Sequence, residues 1–136
     1  FFCADLAGWT LTGGGALTVE TLDGVTVGQV VLNDIPAFPE LELGWMIYPG
    51  QEGNGYAKEA ASALLDWTLS HLRPVSLVSY VSPDNGASRA VALKLGGRED
   101  AHAARPSESD IVYRHAPSDG TSAGLPHEFS HAAGAA

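Results

Sequence analysis

Apolar and polar residues alternate along two neighbouring segments near the start of the chain. The alternation covers residues 16–22 and resumes over residues 25–32, and Asp23-Gly24 separates the two segments. A period of two is typical of a strand with one buried face, and Asp-Gly favours a two-residue hairpin turn. The pattern therefore predicts a β-hairpin.

The residues before this hairpin have a different period. Phe2, Leu6 and Trp9 follow a helical spacing, which predicts a helix over residues 1–11. Gly13-Gly14-Gly15 ends the predicted helix, because glycine loses more conformational freedom in a helix than other residues do.

A strand, a turn and a helix follow in the middle of the chain. Residues 41–48 are apolar apart from Glu42 and Gly44, which predicts a strand covered on both faces, and Pro49-Gly50 ends it. A helical spacing then continues to Pro74, where the helix must stop. We expect its buried stripe to contain Ala57, Ala60, Ala61, Leu64 and Trp67.

A second strand and helix precede a closing hairpin. Residues 75–81 predict another buried strand, and Asn85 is a favourable N-cap for a helix over residues 86–95. The side chains expected to face inward from this helix are Ala87, Ala90, Val91 and Leu95. Residues 98–104 and 110–115 predict the hairpin that follows.

This order of elements predicts an α/β (α+β mixed) fold, with a central mixed sheet and helices on both of its faces. We expect a single domain over residues 1–115. Residues 116–136 are rich in Ala, Gly, Ser and Pro, which predicts a flexible C-terminal tail.

The turn after the central strand has the composition of an anion site. Gly53 and Gly55 allow close approach to the backbone N–H groups at the start of the following helix, which have no helical acceptor. A phosphate or pyrophosphate suits that position. A P-loop does not fit, because the turn continues Gly55-Tyr56-Ala57-Lys58. A dinucleotide fingerprint does not fit either, because no acidic residue lies about 20 residues further on.

Four blocks of residues stand in a defined order and spacing: Leu43-Gly44-Trp45, Gly55-Tyr56-Ala57-Lys58-Glu59-Ala60, Pro83-Asp84-Asn85-Gly86-Ala87-Ser88 and Lys94-Leu95-Gly96. With residues 52–57, which fill the frame of a pyrophosphate loop, they resemble the GNAT N-acetyltransferase superfamily. The likeness is to its branch of ribosomal-protein alanine and serine N-acetyltransferases. The resemblance covers residues 16–115 and implies an acyl-CoA N-acyltransferase fold. That fold begins with a further strand and helix, so we expect this domain to be N-terminally incomplete.

The resemblance implies acetyl-CoA (coenzyme A) as the cofactor. The pantetheine arm would pair with the exposed backbone of the central strand, and the diphosphate would lie on the loop. The residues implied for cofactor binding are Met46, Ile47, Tyr48, Glu52, Gly53, Asn54, Gly55, Tyr56, Ala57, Lys58, Asn85 and Ser88. Asn85 is equally an ordinary N-cap, and Lys58 is equally an ordinary solvated helix residue, so both interpretations stay open.

Three positions differ from the family pattern. Glu52 replaces a Gln or Arg, so we expect its side chain to point away from the diphosphate while its N–H donates. Asn54 replaces a residue that is commonly basic. Ala92 replaces a tyrosine that protonates the leaving thiolate in many relatives, and the ribosomal branch implies Ser88 as the proton donor instead.

Glu42 is the candidate general base, because an attacking ammonium must lose a proton before its nitrogen becomes nucleophilic. Burial within an apolar strand would raise the pKa of Glu42 towards the useful range. An outward-facing Glu42 fits the same sequence. Glu40 flanks the strand as well.

Overall charge limits the partners. The 136 residues include 7 basic and 16 acidic side chains, for a net charge of −9 at pH 7. This balance argues against nucleic acid and favours a cationic acceptor such as an amine, on a small molecule or a protein N-terminus. The sequence predicts no membrane association, since no apolar run is long enough to span a bilayer. The single cysteine, Cys3, indicates a reducing, cytoplasmic compartment. A homodimer is an open alternative to a monomer.

One competing motif lies near the C-terminus. His127-Glu128-Phe129-Ser130-His131 has the spacing of a zinc-protease helix. Pro126 and the glycine-rich surroundings disfavour a stable helix, and no third ligand is evident, so we expect no metal. The sequence therefore predicts an acetyl-CoA-dependent N-acetyltransferase acting by direct attack in a ternary complex. The alternative is a non-catalytic acyl-CoA-binding or sensor domain of the same fold.

Overall fold

A computed structural model describes residues 2–3 and 15–116 of the chain. Its strands are β1 Phe2–Cys3, β2 Gly15–Glu20, β3 Thr26–Asn33, β4 Glu42–Ile47, β5 Leu77–Val81, β6 Arg98–Glu99 and β7 Ile111–Ala116. Helix α1 covers Tyr56–Trp67 and continues as a π-helical segment, Thr68–Leu72, and helix α2 covers Gly86–Lys94. None of the helices in this described part is long and apolar enough to cross a bilayer.

The described strands form one sheet in the order β1-β2-β3-β4-β5-β7-β6. The central pair β4–β5 is parallel, and the other neighbouring pairs in this sheet are antiparallel. Helix α1 connects the parallel pair and packs on β3 and β4. The mixed α/β sheet predicted from the sequence is therefore confirmed.

The β2–β3 hairpin is present, and its turn is one residue longer than expected. The N–H of Thr21 donates to the carbonyl of Val25, so three residues lie between them. Gly24 has a φ of 87°, which closes the loop in a conformation that glycine tolerates. Behind the turn, Leu17 and Val19 are buried in the core.

The N-terminal helix prediction is wrong where it can be compared with the structure. Phe2 pairs with Val19 and Cys3 with Thr18, so the chain adds an edge strand to β2. A short apolar run cannot be assigned to helix or strand by periodicity alone, and here an available sheet edge decides. The remaining residues of that predicted helix lie outside the described residues, as do most of the predicted tail and the His127–His131 motif.

Helix α1 buries Ala60, Ala61, Leu64 and Leu65 against the sheet. Trp67, which the sequence placed in this stripe, remains 36% exposed and stacks on His71 at 5.2 Å between ring centroids. The buried face is centred between Leu64 and Leu65, so Trp67 lies at its edge.

Helix α2 turns a different face inward than the sequence predicted. Ala92 is fully buried beside Tyr113, whereas Ala87 and Ala90 are exposed. Val91 and Leu95 are half-buried. Alanines occur all around this helix, so its sequence carries little information about which face meets the sheet.

The parallel strands β4 and β5 separate soon after they meet. Within the described residues their one register pair is Glu42 with Val78, where the N–H of Val78 donates to the carbonyl of Leu41 over 3.0 Å. One residue further on, the Ser79 hydroxyl donates to the carbonyl of Leu43 over 2.6 Å in place of a ladder bond. The strand is also not covered on both faces throughout, because Met46 is 54% exposed.

The closing hairpin of β6 and β7 is present, but β6 is shorter than expected. The Arg105 guanidinium donates to four backbone carbonyls at 2.8–3.1 Å: Asp100, Ala101, Ala103 and Asp110. These bonds hold residues 100–110 in a compact loop, so the paired strand ends at Glu99.

Candidate functional site

In the glycine-rich loop between β4 and α1, the polar side chains of Glu52 and Asn54 form hydrogen bonds within the loop itself. Glu52 folds back, and its carboxylate accepts a hydrogen bond of 2.8 Å from the N–H of Gly50. The side-chain amide of Asn54 donates to the carbonyls of Gln51 and Glu52. The acidic side chain of Glu52 is thus occupied at the start of the loop rather than at the helix.

The start of helix α1 has backbone N–H groups without helical acceptors. Gly53 and Gly55 have φ angles of 83° and 77°, a left-handed conformation suited to glycine. The first helical bond runs from the N–H of Glu59 to the carbonyl of Gly55, and no side chain in the described part of the chain caps the helix. The N–H groups of residues 56–58 therefore have no acceptor within the helix, and the helix dipole adds partial positive charge there.

A cavity of about 160 Å³ lies where β4 and β5 diverge, next to the start of helix α2. Its lining is mostly polar on the β5 and α2 side. The lining residues are Glu42, Leu43, Gly44, Trp45, Ser79, Tyr80, Val81, Ser82, Asn85 and Ser88. Three predicted site residues from two distant segments of the chain, Glu42 on β4 and Asn85 with Ser88 at the start of α2, thus line one cavity.

The backbone of β4 alternates between its two neighbours. The carbonyls of Leu41 and Leu43 accept bonds from the β5 side, whereas the N–H of Tyr48 donates to Val27 at the end of the β3 side. Alternation along the strand then directs the N–H and C=O groups of Trp45 and Ile47 towards the gap. Of the three strand residues expected at the pantetheine, Ile47 therefore has its backbone on that side, and Met46 and Tyr48 have theirs towards β3.

Glu42 is buried, with 9% of its surface exposed, and it faces the cavity rather than solvent. The side-chain amide of Asn33 donates to its carboxylate over 2.7 Å. Burial raises the pKa of Glu42, and the nearby Asp110 carboxylate adds to that effect. The hydrogen bonds from Asn33 and from the backbone of Tyr80 oppose the increase without cancelling it.

Glu40, the other candidate acid, is held in an ion pair. Arg114 donates to both of its carboxylate oxygens at 3.0 and 3.1 Å and also to Asp100 at 2.9 Å. Burial opposes ionisation, but the hydrogen bonds from Arg114 and Ser76 hold the pKa of Glu40 below its usual value. Glu40 is therefore a fixed anion, and Glu42 is the acid whose proton affinity suits a base.

Asn85 caps helix α2, since its side-chain oxygen accepts the N–H of Ser88 over 3.0 Å. The hydroxyl of Ser88 lies 3.3 Å from the indole nitrogen of Trp45 on the opposite side of the cavity. Sequence reasoning placed Trp45 in a motif but gave it no role. Its partner is 43 positions away in sequence, so only the fold brings them together.

A second pair that sequence reasoning missed lies at the floor of the gap. Ser79 is hydrogen-bonded to the Nε2 atom of His115 at 2.8 Å. The Ser79 hydrogen already goes to Leu43, so His115 must be the donor in this pair. Burial lowers the pKa of His115 to about 4, so the imidazole is neutral at ordinary pH.

The site combines diverging parallel strands, a cavity between them and a helix start without a side-chain cap in the described residues. This combination is typical of a class of α/β fold that suits an extended ligand ending in a diphosphate. The profile of the acetyltransferase (GNAT) domain matches residues 3–98, and the chain belongs to this family.

Solved structures and curated sequences agree with this assignment. An acetyltransferase from Agrobacterium tumefaciens is 50% identical, with a TM-score of 0.76, over 82% of this chain and 66% of that one. A candidate ribosomal-protein-serine acetyltransferase from Vibrio cholerae is 25% identical, with a TM-score of 0.64, over 81% of this chain and 68% of its own. The uncharacterized N-acetyltransferase YnaD of Bacillus subtilis is 28% identical over 74 residues. The matched part spans 54% of this chain and 44% of YnaD.

Proposed function

We propose that this domain transfers the acetyl group of acetyl-CoA to a primary amine. The observation that carries the proposal is the set of N–H groups at residues 56–58 without an acceptor in the helix, which one loop connects to the strand that borders the gap. GNAT acetyltransferases use acetyl-CoA, and the resemblance at this loop extends to the flanking blocks. Backbone N–H groups and the helix dipole would bind the diphosphate despite the net charge of −9.

The cleft suits the rest of the cofactor. The backbone groups of Trp45 and Ile47 that face β5 can pair with the amides of a pantetheine arm, as an added strand would pair with a sheet edge. The thioester would then lie in the cavity between Glu42 and Ser88, and it supplies the activated acyl group. Gly53 and Gly55 leave space above the loop backbone, since no atom of the described residues, apart from their chain neighbours, lies within 4 Å of a Cβ built on either.

Two side chains would handle protons. Glu42 accepts a proton from the amine, which then attacks the acyl carbon, and its buried carboxylate has the raised pKa that this role needs. A carbon–nitrogen bond forms as the carbon–sulfur bond breaks. Ser88 supplies a proton to the departing sulfur. Positioning of amine and thioester in one cleft contributes much of the expected acceleration.

We propose a cationic acceptor, either a small-molecule amine or a protein N-terminus. The likeness at 25% identity to a candidate ribosomal-protein-serine acetyltransferase supports a protein N-terminus. The acidic surface would attract either acceptor equally. A cytoplasmic location and a homodimer stay predictions.

The second candidate is an acyl-CoA-binding domain without turnover. Ala92, where many relatives carry the tyrosine proton donor, is fully buried, so no phenol could enter the cavity from that position without repacking the core. A thiol-release assay with acetyl-CoA and a panel of amines, including N-terminal peptides, distinguishes the two candidates. Release that depends on an amine supports the transferase. Calorimetric binding of acetyl-CoA with no release for any amine supports the binding domain.

A further inference from the structure

Trp45 and Ser88 join the two sides of the cavity. Trp45 belongs to β4, and Ser88 lies in the first turn of α2. The indole nitrogen and the serine oxygen are 3.3 Å apart, and both residues line the cavity. The bond borders the cavity in which the acyl end of the cofactor is proposed to lie.

The direction of this hydrogen bond is fixed by chemistry. An indole N–H can only donate, so the Ser88 oxygen must accept. The backbone N–H of Ser88 is already satisfied by Asn85, so the hydroxyl is not required for capping the helix. The single hydrogen of the Ser88 hydroxyl is therefore free to be donated to a third group.

The indole ring is held independently of this bond. Trp45 is half-buried and packs against both hydrophobic clusters of the domain. One cluster is formed by residues of β2, β3, β4, β5 and α1, and the buried residues of the other are Val81, Ala92 and Tyr113. A ring packed against both clusters presents its N–H in one place, which lowers the cost of orienting a partner.

We propose that Trp45 is a positioning residue that orients the Ser88 hydroxyl for proton donation to the departing thiolate. The inference rests on the proposed transferase function and assigns a role to a residue beyond it. As the carbon–sulfur bond breaks, its electron pair goes to sulfur, and sulfur takes the hydrogen of Ser88. A water molecule in the open cavity returns a hydrogen to Ser88 and takes the second proton that the attacking nitrogen loses as it becomes an amide. The indole N–H stabilises the negative charge that develops on the serine oxygen during this relay.

The proposal is tested with a double-mutant cycle of Trp45→Phe and Ser88→Ala. Phenylalanine keeps an aromatic ring against both clusters and removes the N–H. We expect Trp45→Phe to lower kcat roughly three- to tenfold, the effect of one neutral hydrogen bond, with little change in KM for acetyl-CoA. In the Ser88→Ala background the same change should have no further effect, because Trp45 acts through Ser88. Trp67→Phe, the same substitution at a site on α1, is the matched control and should leave kcat unchanged.

A second measurement tests the bond without turnover. The chain has 3 tryptophans, so Trp45 gives one of three indole N–H signals in a nitrogen–proton correlation spectrum. Ser88→Ala should shift the Trp45 signal and speed its hydrogen exchange, while the Trp67 signal stays in place.

The outcomes separate the inference from the proposed function. An unchanged Trp45 signal in Ser88→Ala overturns the inference, whatever the activity. So does a loss of kcat in Trp45→Phe that adds in full to the loss in Ser88→Ala. Turnover that Ser88→Ala leaves intact removes Ser88 as the acid, and with it the role of Trp45, while the transferase function stands. Absence of amine acetylation by the unmodified protein overturns the transferase function and the inference that rests on it.

Discussion

Asn33 and Glu42 face each other directly across β3 and β4, and the Asn33 amide donates to the Glu42 carboxylate over 2.7 Å. Burial pushes the pKa of Glu42 up, and this hydrogen bond limits the increase. The amide therefore favours the ionised form of this buried acid, which is the form a general base needs.

Replacing Asn33 with Leu should raise the pKa of Glu42 further, because the ionised form loses its donor while burial remains. Asp110 and Tyr80, the titratable residues that interact with Glu42, are unchanged by the substitution, as are Glu40 and Arg114, which interact with Tyr80. We expect the acid limb of kcat/KM against pH to move to higher pH. A carboxyl titration by carbon NMR follows Glu42 directly, and Gln29→Leu on the same strand is the control. A titration curve that does not move would contradict the assignment of this bond.

Gly55→Asp should weaken acetyl-CoA binding at least tenfold. The substitution places a carboxylate beside the helix N–H groups, where the diphosphate is proposed to bind, and two like charges at about 4 Å repel by roughly 1–4 kcal/mol. Gly24→Asp is a matched control, because both glycines have positive φ, 77° and 87°, and open space around a built Cβ. Both variants should lose similar stability in thermal unfolding, but Gly55→Asp alone should lose affinity by calorimetry. Equal affinities would rule out the loop as the diphosphate site.

His115 should make folding stability depend on pH between about 4 and 6.5. Burial lowers the pKa of His115 from 6.5 to about 4, so the unfolded chain binds a proton in this range and the folded protein does not. Stability is therefore complete above about pH 6.5 and decreases as the pH falls towards 4. The shift corresponds to about 3 kcal/mol at most.

His115→Gln provides the comparison, since its amide can still donate to Ser79 but does not titrate. Urea unfolding at several pH values should show that the variant loses less free energy of unfolding than the unmodified protein between pH 6.5 and 5. Identical pH profiles for the two proteins would mean that His115 is not buried as a neutral base.

Arg114→Met should destabilise the protein by about 1–2 kcal/mol. The substitution leaves Glu40 and Asp100 without their shared cation, and the side chains of Arg114 and Glu40 are each only 19% exposed. The loss should be smaller than for a fully buried pair, because solvent still screens the charges. Arg98→Met, on the exposed strand β6 opposite Arg114, is the control and should change stability by less than about 0.5 kcal/mol. A similar loss in both variants, measured by urea unfolding, would show that the Glu40 pair contributes nothing specific.

Local patterns were enough to predict most of the fold. The alternation around Asp23-Gly24 predicted the β2–β3 hairpin, and the order of the two strand–helix units predicted the mixed sheet. Gly53 and Gly55 marked the uncapped helix start, and Asn85 marked the cap of the second helix. These features depend on neighbours within a few residues, so their information is present in short stretches of sequence.

The sequence by itself therefore determined most of the elements after residue 15, their order and the loop that begins the site. Tertiary structure alone decided which way Glu42 faces, which backbone groups of β4 border the gap, and that Ala92 rather than Ala87 or Ala90 is buried. It also brought together Trp45 with Ser88, 43 positions apart, and Glu40 with Arg114, 74 positions apart. Strand register and the packing of helices on the sheet fix these relationships. Both arise from contacts between distant segments, which no local pattern records.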